Sequence, residues 1–234
     1  MKRNLIFWQL GLVASALLTL FSYSFADTIV SVTDSLSSPN RAGLFLGGQY
    51  SNVVAMSWTQ RAGFSDVTIA ALLGSLDASF QSGTAYLMRA IGPGTTSTSE
   101  VVAPVAFTAP LADGGGAIAP TVLFSGLTLA RGTYYLVLTA PFRDVGGGSP
   151  LLWAVPTNTV ITTSPFATIG SPFEANTTLF PAALFPPASN FVTTDWTMFD
   201  VNGTKIVAPE PSSLLLLCTG LLGIVGTVRR NLLR

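Results

Sequence analysis

The chain has no histidine, and its single cysteine is Cys218. The missing imidazole removes Ser-His-Asp hydrolysis, Cys-His nucleophiles and histidine-ligated zinc together, because each needs that ring as base or ligand. Charge is scarce as well, at 9% of 234 residues. No Lys/Arg-rich run or basic patch interrupts the chain, so nothing in it suits nucleic acid. No Gly-rich loop is followed by Lys-Ser or Lys-Thr, which leaves phosphate-cradling nucleotide chemistry without a footing.

Between Asp27 and Ala208 there is no cysteine, so no disulfide framework supports this stretch and its stability has to come from packing. Six basic residues there (Arg41, Arg61, Arg89, Arg131, Arg143 and Lys205) face ten acidic ones, a net charge of about −4. Two carboxylates would suffice for glycoside hydrolysis. Glu100 and Glu174, the only glutamates of this stretch, sit in Ser/Thr/Pro-rich surroundings that read as loops, and no pair is marked. The expectation is a protein that is not an enzyme. Length and composition predict one domain of roughly 180 residues, enough to bury a sizeable core.

What is present is concentrated at the two ends. Lys2 and Arg3 precede a mostly apolar run from Leu5 to Phe21, and Ser24-Phe25-Ala26 places small residues ahead of Asp27. This is the layout of a signal peptide over 1–26, cut by signal peptidase between Ala26 and Asp27. At the other end Pro209-Glu210-Pro211 is followed by an uncharged stretch, Ser212 to Val228, and then by Arg229, Arg230 and Arg234. As a helix, residues 212–228 reach roughly 25 Å, just sufficient for a bilayer core of about 30 Å. Arg229 and Arg230 would hold the tail in the cytoplasm by the positive-inside rule. Gly220, Gly223 and Gly226 form a narrow strip for close helix approach. Cys218 lies inside the span as a small apolar filler.

The order Pro-Glu-Pro, apolar helix, arginines and chain end resembles the PEP-CTERM sorting signal of Gram-negative bacteria that make exopolysaccharide. The resemblance covers residues 208–234 and implies recognition by an exosortase, a membrane-embedded protease that cuts near the tripeptide. It also implies an inner-membrane-anchored precursor and a final place at the cell surface or in the extracellular matrix.

Between the ends the pattern predicts an all-β ectodomain over 27–207, an antiparallel sandwich of jelly-roll type. Val54, Met56 and Trp58 alternate with Ala55 and Ser57, and Val67, Ile69, Ala71 and Leu73 repeat the period of two. Further strand-like runs fall at 84–91, 121–124, 133–139, 151–155 and 191–199, separated by Gly- and Pro-rich breakers. Gly83 to Leu87 and Gly132 to Leu136 share the spelling G-T-x-Y-L, which reads as two ordinary strand openings. The run Leu127 to Leu138 is similar to a strand pair common in exported bacterial β-sandwich modules. Residues 163–188 hold five prolines and Phe166, Phe173, Phe180 and Phe185, which predicts a long pinned loop and not regular strands.

No cofactor is expected, and no metal centre. Asp113, Asp144, Asp195 and Asp200 offer oxygen atoms suited to a structural Ca²⁺, but without an EF-hand series they read as solvated turn residues. Exopolysaccharide is the expected ligand, since aromatic rings stack on flat sugar faces; the alternatives are a self-associating structural or adhesive surface protein and a glycan-acting enzyme. Trp153, beside the Gly146–Gly148 run, and Tyr135 are the candidate rings; Trp58 and Trp196 share strand faces with apolar neighbours and read as core.

Overall fold

A period of two lets a chain bury one face of a sheet, and the described residues use it throughout. The computed structural model describes residues 26–35, 43–46, 52–91, 100–112, 118–140, 151–176, 191–206 and 220. Their strands are β1 (Asp27–Asp34), β2 (Gly43–Phe45), β3 (Asn52–Gln60), β4 (Phe64–Ser75), β5 (Ser82–Met88), β6 (Val105–Thr108), β7 (Ala119–Leu129), β8 (Gly132–Thr139), β9 (Leu151–Ala154), β10 (Thr159–Thr163), β11 (Ala167–Asn176), β12 (Phe191–Thr193) and β13 (Phe199–Lys205). All named strand pairs are antiparallel, and they form two sheets. The first runs β10-β1-β13-β4-β9-β2, with β7 also on β4; the second runs β12-β11-β3-β8-β5-β6.

β4 is the spine of the first sheet. Ala71 pairs with both Phe199 and Thr121, while Leu73 pairs with both Trp153 and Ala119. One edge of β4 is therefore taken by β7 and the other is shared in succession by β13 and β9.

The sheets face each other across one core. Ile69, Ala71 and Leu73 of β4, Phe199 and Val201 of β13, and Val54, Met56 and Trp58 of β3 meet there, all essentially inaccessible to solvent. At its centre Trp58 stacks on Tyr134 with ring centroids 5.4 Å apart and planes 19° apart, and Phe199 approaches Trp58 at 6.2 Å. Such pairs add specificity of geometry to the burial of apolar area.

The chain crosses from the first sheet to the second at Ala130–Arg131, and buried hydrogen bonds hold that crossing. The Tyr134 hydroxyl donates to the Ala130 carbonyl at 2.6 Å, the geometry of a tyrosine corner. Gln60, 1% exposed, donates from Nε2 to the carbonyls of Leu129 (3.1 Å) and Ala130 (3.0 Å). Its Oε1 accepts from Trp58 Nε1 at 3.2 Å. The amide thus ties the end of β3 to the end of β7, and all of its buried polar atoms are engaged.

Two expectations are corrected. The segment 163–188 is not one loop: β11 occupies residues 167–176 and lies between β12 and β3. A register shift between Ile169 and Pro172 against β3 admits a residue that has no N–H to give. Residues 177–188, with Phe180 and Phe185, lie outside the described residues. The run 191–199 is likewise not one strand, because β12 stops at Thr193 and β13 begins at Phe199. Among the described residues no helix is long and apolar enough to cross a membrane. The expected signal segment and the span 212–228 lie outside them, except for Ala26 and Gly220.

Candidate functional site

Adjacent residues of a strand point to opposite faces, so Tyr134 and Tyr135 divide their tasks. Tyr134 enters the core. Tyr135 stands on the outer face of the second sheet, half-buried, with Met88 of β5 and Ser57 of β3 as its lateral neighbours. One row further along the same face lie Tyr86, Val137, Ala55 and Phe173. Val53, Ala55, Tyr86, Met88 and Val137 form a small apolar floor, and Tyr135, Phe173 and Ile91 pack against it. The rings of Tyr135 and Phe173 are tilted by 45° with centroids 6.3 Å apart.

A backbone irregularity completes the patch. The Ser57 hydroxyl donates to the Ser171 carbonyl at 2.9 Å. A Cβ at Gly170 would stand 2.2 Å from Ser57 Oγ, so glycine is the residue that lets β11 approach β3 this closely. The result is an aromatic and apolar surface with hydroxyls at its margin. It can stack on a ring or a flat apolar face.

Trp153 does not belong to this surface. It is fully buried, and its Nε1 donates to the Met198 carbonyl at 2.9 Å. The indole presents no face outward and serves the core where β9 meets β13. Trp58 is fully buried too, and Trp196 packs against the same core.

The acidic residues are dispersed. Glu174 lies on β11 and accepts from the Thr194 hydroxyl at 3.3 Å, while Glu100 forms an isolated bridge to Met88. Glu174 thus stands in a strand and not in the loop that its surroundings suggest, while Glu100 lies in the connection between β5 and β6 as expected. Asp200 accepts a hydrogen bond from Ser31. Among the described residues no three of His, Cys, Asp and Glu come together as a metal site. Asp113 and Asp144 lie outside the described residues. Burial pushes the Tyr86 phenol above its ordinary value, and the charge of Glu100 adds to the shift. Burial also raises Tyr134, against the opposing charge and hydrogen bond of Arg89, whose guanidinium lies 4.1 Å over the Tyr134 ring.

Asp27 and Lys205, the described strand ends nearest the predicted processing points, lie at one end of the sandwich. Asp27 opens β1 opposite Gly203 of β13, and both Ala26 and Asp27 are exposed. Lys205 closes β13 with its Nζ 3.6 Å from the Phe166 ring centroid. A groove of about 340 Å³ opens between Asp27, Ser164, Phe166 and Lys205. Pro209, Glu210, Pro211, Arg229 and Arg230 lie outside the described residues.

A family model for the PEP-CTERM protein-sorting motif matches residues 207–230. The segment so matched supports an exported protein processed by an exosortase. No curated protein matches the chain.

Proposed function

We propose that the chain is a non-enzymatic surface or extracellular-matrix protein that an exosortase sorts and that associates with secreted exopolysaccharide. One observation carries the reading: the sorting motif begins at residue 207, two residues after β13 ends at Lys205. The folded body therefore finishes where the address begins. In this reading signal peptidase cuts at Ala26–Asp27, and residues 212–228 anchor the precursor in the inner membrane of a Gram-negative cell. Arg229 and Arg230 then sit on the cytoplasmic side. Exosortase cleavage beside Pro209-Glu210-Pro211 passes the body to the surface or the matrix.

The polysaccharide half rests on Tyr135 and Phe173. Paired aromatic rings on an apolar floor suit the flat faces of sugar rings. Trp153 has no part in it. Replacing Glu210 or deleting Arg229 and Arg230 is expected to hold the precursor in the inner membrane, as read by fractionation; unchanged release would refute the sorting mechanism. The purified 27–206 body should be retained on the host's own exopolysaccharide, and Tyr135→Ala should weaken that retention on the order of fivefold, the loss of one stacking contact. Equal retention of both proteins would remove Tyr135 from the site.

A further inference from the structure

We propose that the chain pairs with a second copy of itself through the outer edge of β10, antiparallel and two-fold symmetric about Ile161. The inference does not depend on the polysaccharide reading. β10 closes one side of the first sheet, and among the described residues its single partner strand is β1. All five of its residues are exposed, with Val160 at 40% and Ile161 at 41%. Thr159, Val160, Ile161, Thr162 and Thr163 are all β-branched and uncharged. Charge, proline and bulges are the usual means of blunting a free edge, and β10 has none of them.

The other edges are treated differently. β7 has three register irregularities against β4, carries Pro120 and turns through Gly126 at φ 66°. β2 and β12 are three residues long and β6 is four. Among the described residues β10 is left as the regular, unprotected edge.

Its register follows from the backbone groups that β1 has already used. Ser164 donates its N–H to the Ile29 carbonyl at 2.9 Å, and Ser35 donates to the Asn158 carbonyl at 3.1 Å. Both pairs belong to the antiparallel ladder that also sets Thr162 opposite Ser31 and Val160 opposite Thr33. Hydrogen-bonded and non-hydrogen-bonded positions alternate, so the N–H and C=O groups of Thr159, Ile161 and Thr163 point away from β1. A two-fold axis at Ile161 sets Ile161 against its own counterpart and Thr159 against Thr163. That register pairs all three outward residues of each strand and joins the two first sheets into one. The contact is isologous and closes on itself. Five residues a side make a small interface, so the pairing is weak in dilute solution and strengthens where copies crowd on one surface.

The test uses the full-length chain in detergent, in a Cys218→Ser background. Directly opposed residues of a hydrogen-bonded pair have Cα atoms about 5.5 Å apart, within disulfide range. Ile161→Cys is expected to form a linked dimer on mild oxidation. Val160→Cys, which meets Thr162 of the other copy, should link at least about fivefold less. Ile161→Lys sets like charges face to face and should lower the dimer fraction in sedimentation velocity on the order of fivefold. Thr163→Pro removes an outward N–H that β1 does not use and should act in the same direction; it decides the matter if the lysine variant loses its β-sheet circular dichroism. A chain that stays monomeric, equal linking at positions 160 and 161, or a dimer that survives both Ile161→Lys and Thr163→Pro would overturn the proposal.

Discussion

Thr197 is fully buried, and its hydroxyl has no hydrogen-bond partner among the described residues. A buried donor left unmade costs about 1–3 kcal/mol, whereas an apolar group of the same shape does not. Thr197→Val is therefore expected to stabilise the fold by roughly 0.5–1 kcal/mol, read as a higher urea midpoint with an unchanged m-value. A lower midpoint would mean that the hydroxyl is satisfied. The same scale shows what single residues reveal before folding. Alternation along β8 makes it certain that Tyr134 and Tyr135 part company, and Tyr135 is indeed the one turned outward. Trp153 could not be assigned in this way. Its hydrogen-bond acceptor is the carbonyl of Met198, 45 residues further on, and the two meet only because β9 and β13 share one edge of β4. Nearness to a glycine run is a property of the sequence; burial of the indole is a property of the sheet.

Among the elements, β3, β4, β5, β7, β8 and β9 all contain runs whose alternation or β-branched content announces them. β11 could not be read, because its proline argues against an interior strand and the irregularity that accommodates it is set by β3. β1 escaped notice for another reason: Asp27 to Asp34 adjoins the signal segment and carries no turn signal of its own. The repeated G-T-x-Y-L spelling separates into two uses of glycine. Gly132 opens β8 at φ 152°, a conformation that L-residues avoid. Gly83 is buried within β5 for lack of room: a Cβ there would lie 2.4 Å from Phe107 Cζ and 2.7 Å from the Thr139 carbonyl oxygen. The ring can shift but the backbone oxygen cannot, so Gly83→Ala is expected to cost about 1–3 kcal/mol, the usual range for overpacking a core. Denaturant titration of the variant checks this, and a neutral result would mean that β5 and β6 separate freely.

For the whole molecule, two phenols make stability depend on alkaline pH. Burial holds Tyr86 and Tyr134 protonated beyond the ordinary phenol value of 10.0. In the unfolded chain they ionise near that value, so above about pH 10 the unfolded state binds fewer protons than the folded one. Their contribution is complete below the unfolded value and is lost as pH rises through the folded one. Urea midpoints should fall as pH rises above about 10, and Tyr86→Phe should flatten the fall. An unchanged slope in that variant would locate the titration elsewhere. The two-sheet architecture was legible from the spacing of apolar residues and breakers, but the order of strands was not. Neighbours such as β1 and β13 stand at opposite ends of the body, and nothing local announces that they meet.

That meeting of first strand and last has a mechanical consequence. Five residues, 207–211, separate Ile206 from Ser212, a strap whose two ends lie at most about 21 Å apart when drawn straight. If residues 212–228 are seated in lipid as proposed, the sandwich hangs by its Asp27–Lys205 end, and the other ends of β1 and β4, at Asp34 and Ser75, swing farthest from the bilayer. Severing the strap beside Glu210 drops the pendant whole: the cut falls beyond β13, and every rung that zips it to β1 and β4 stays closed.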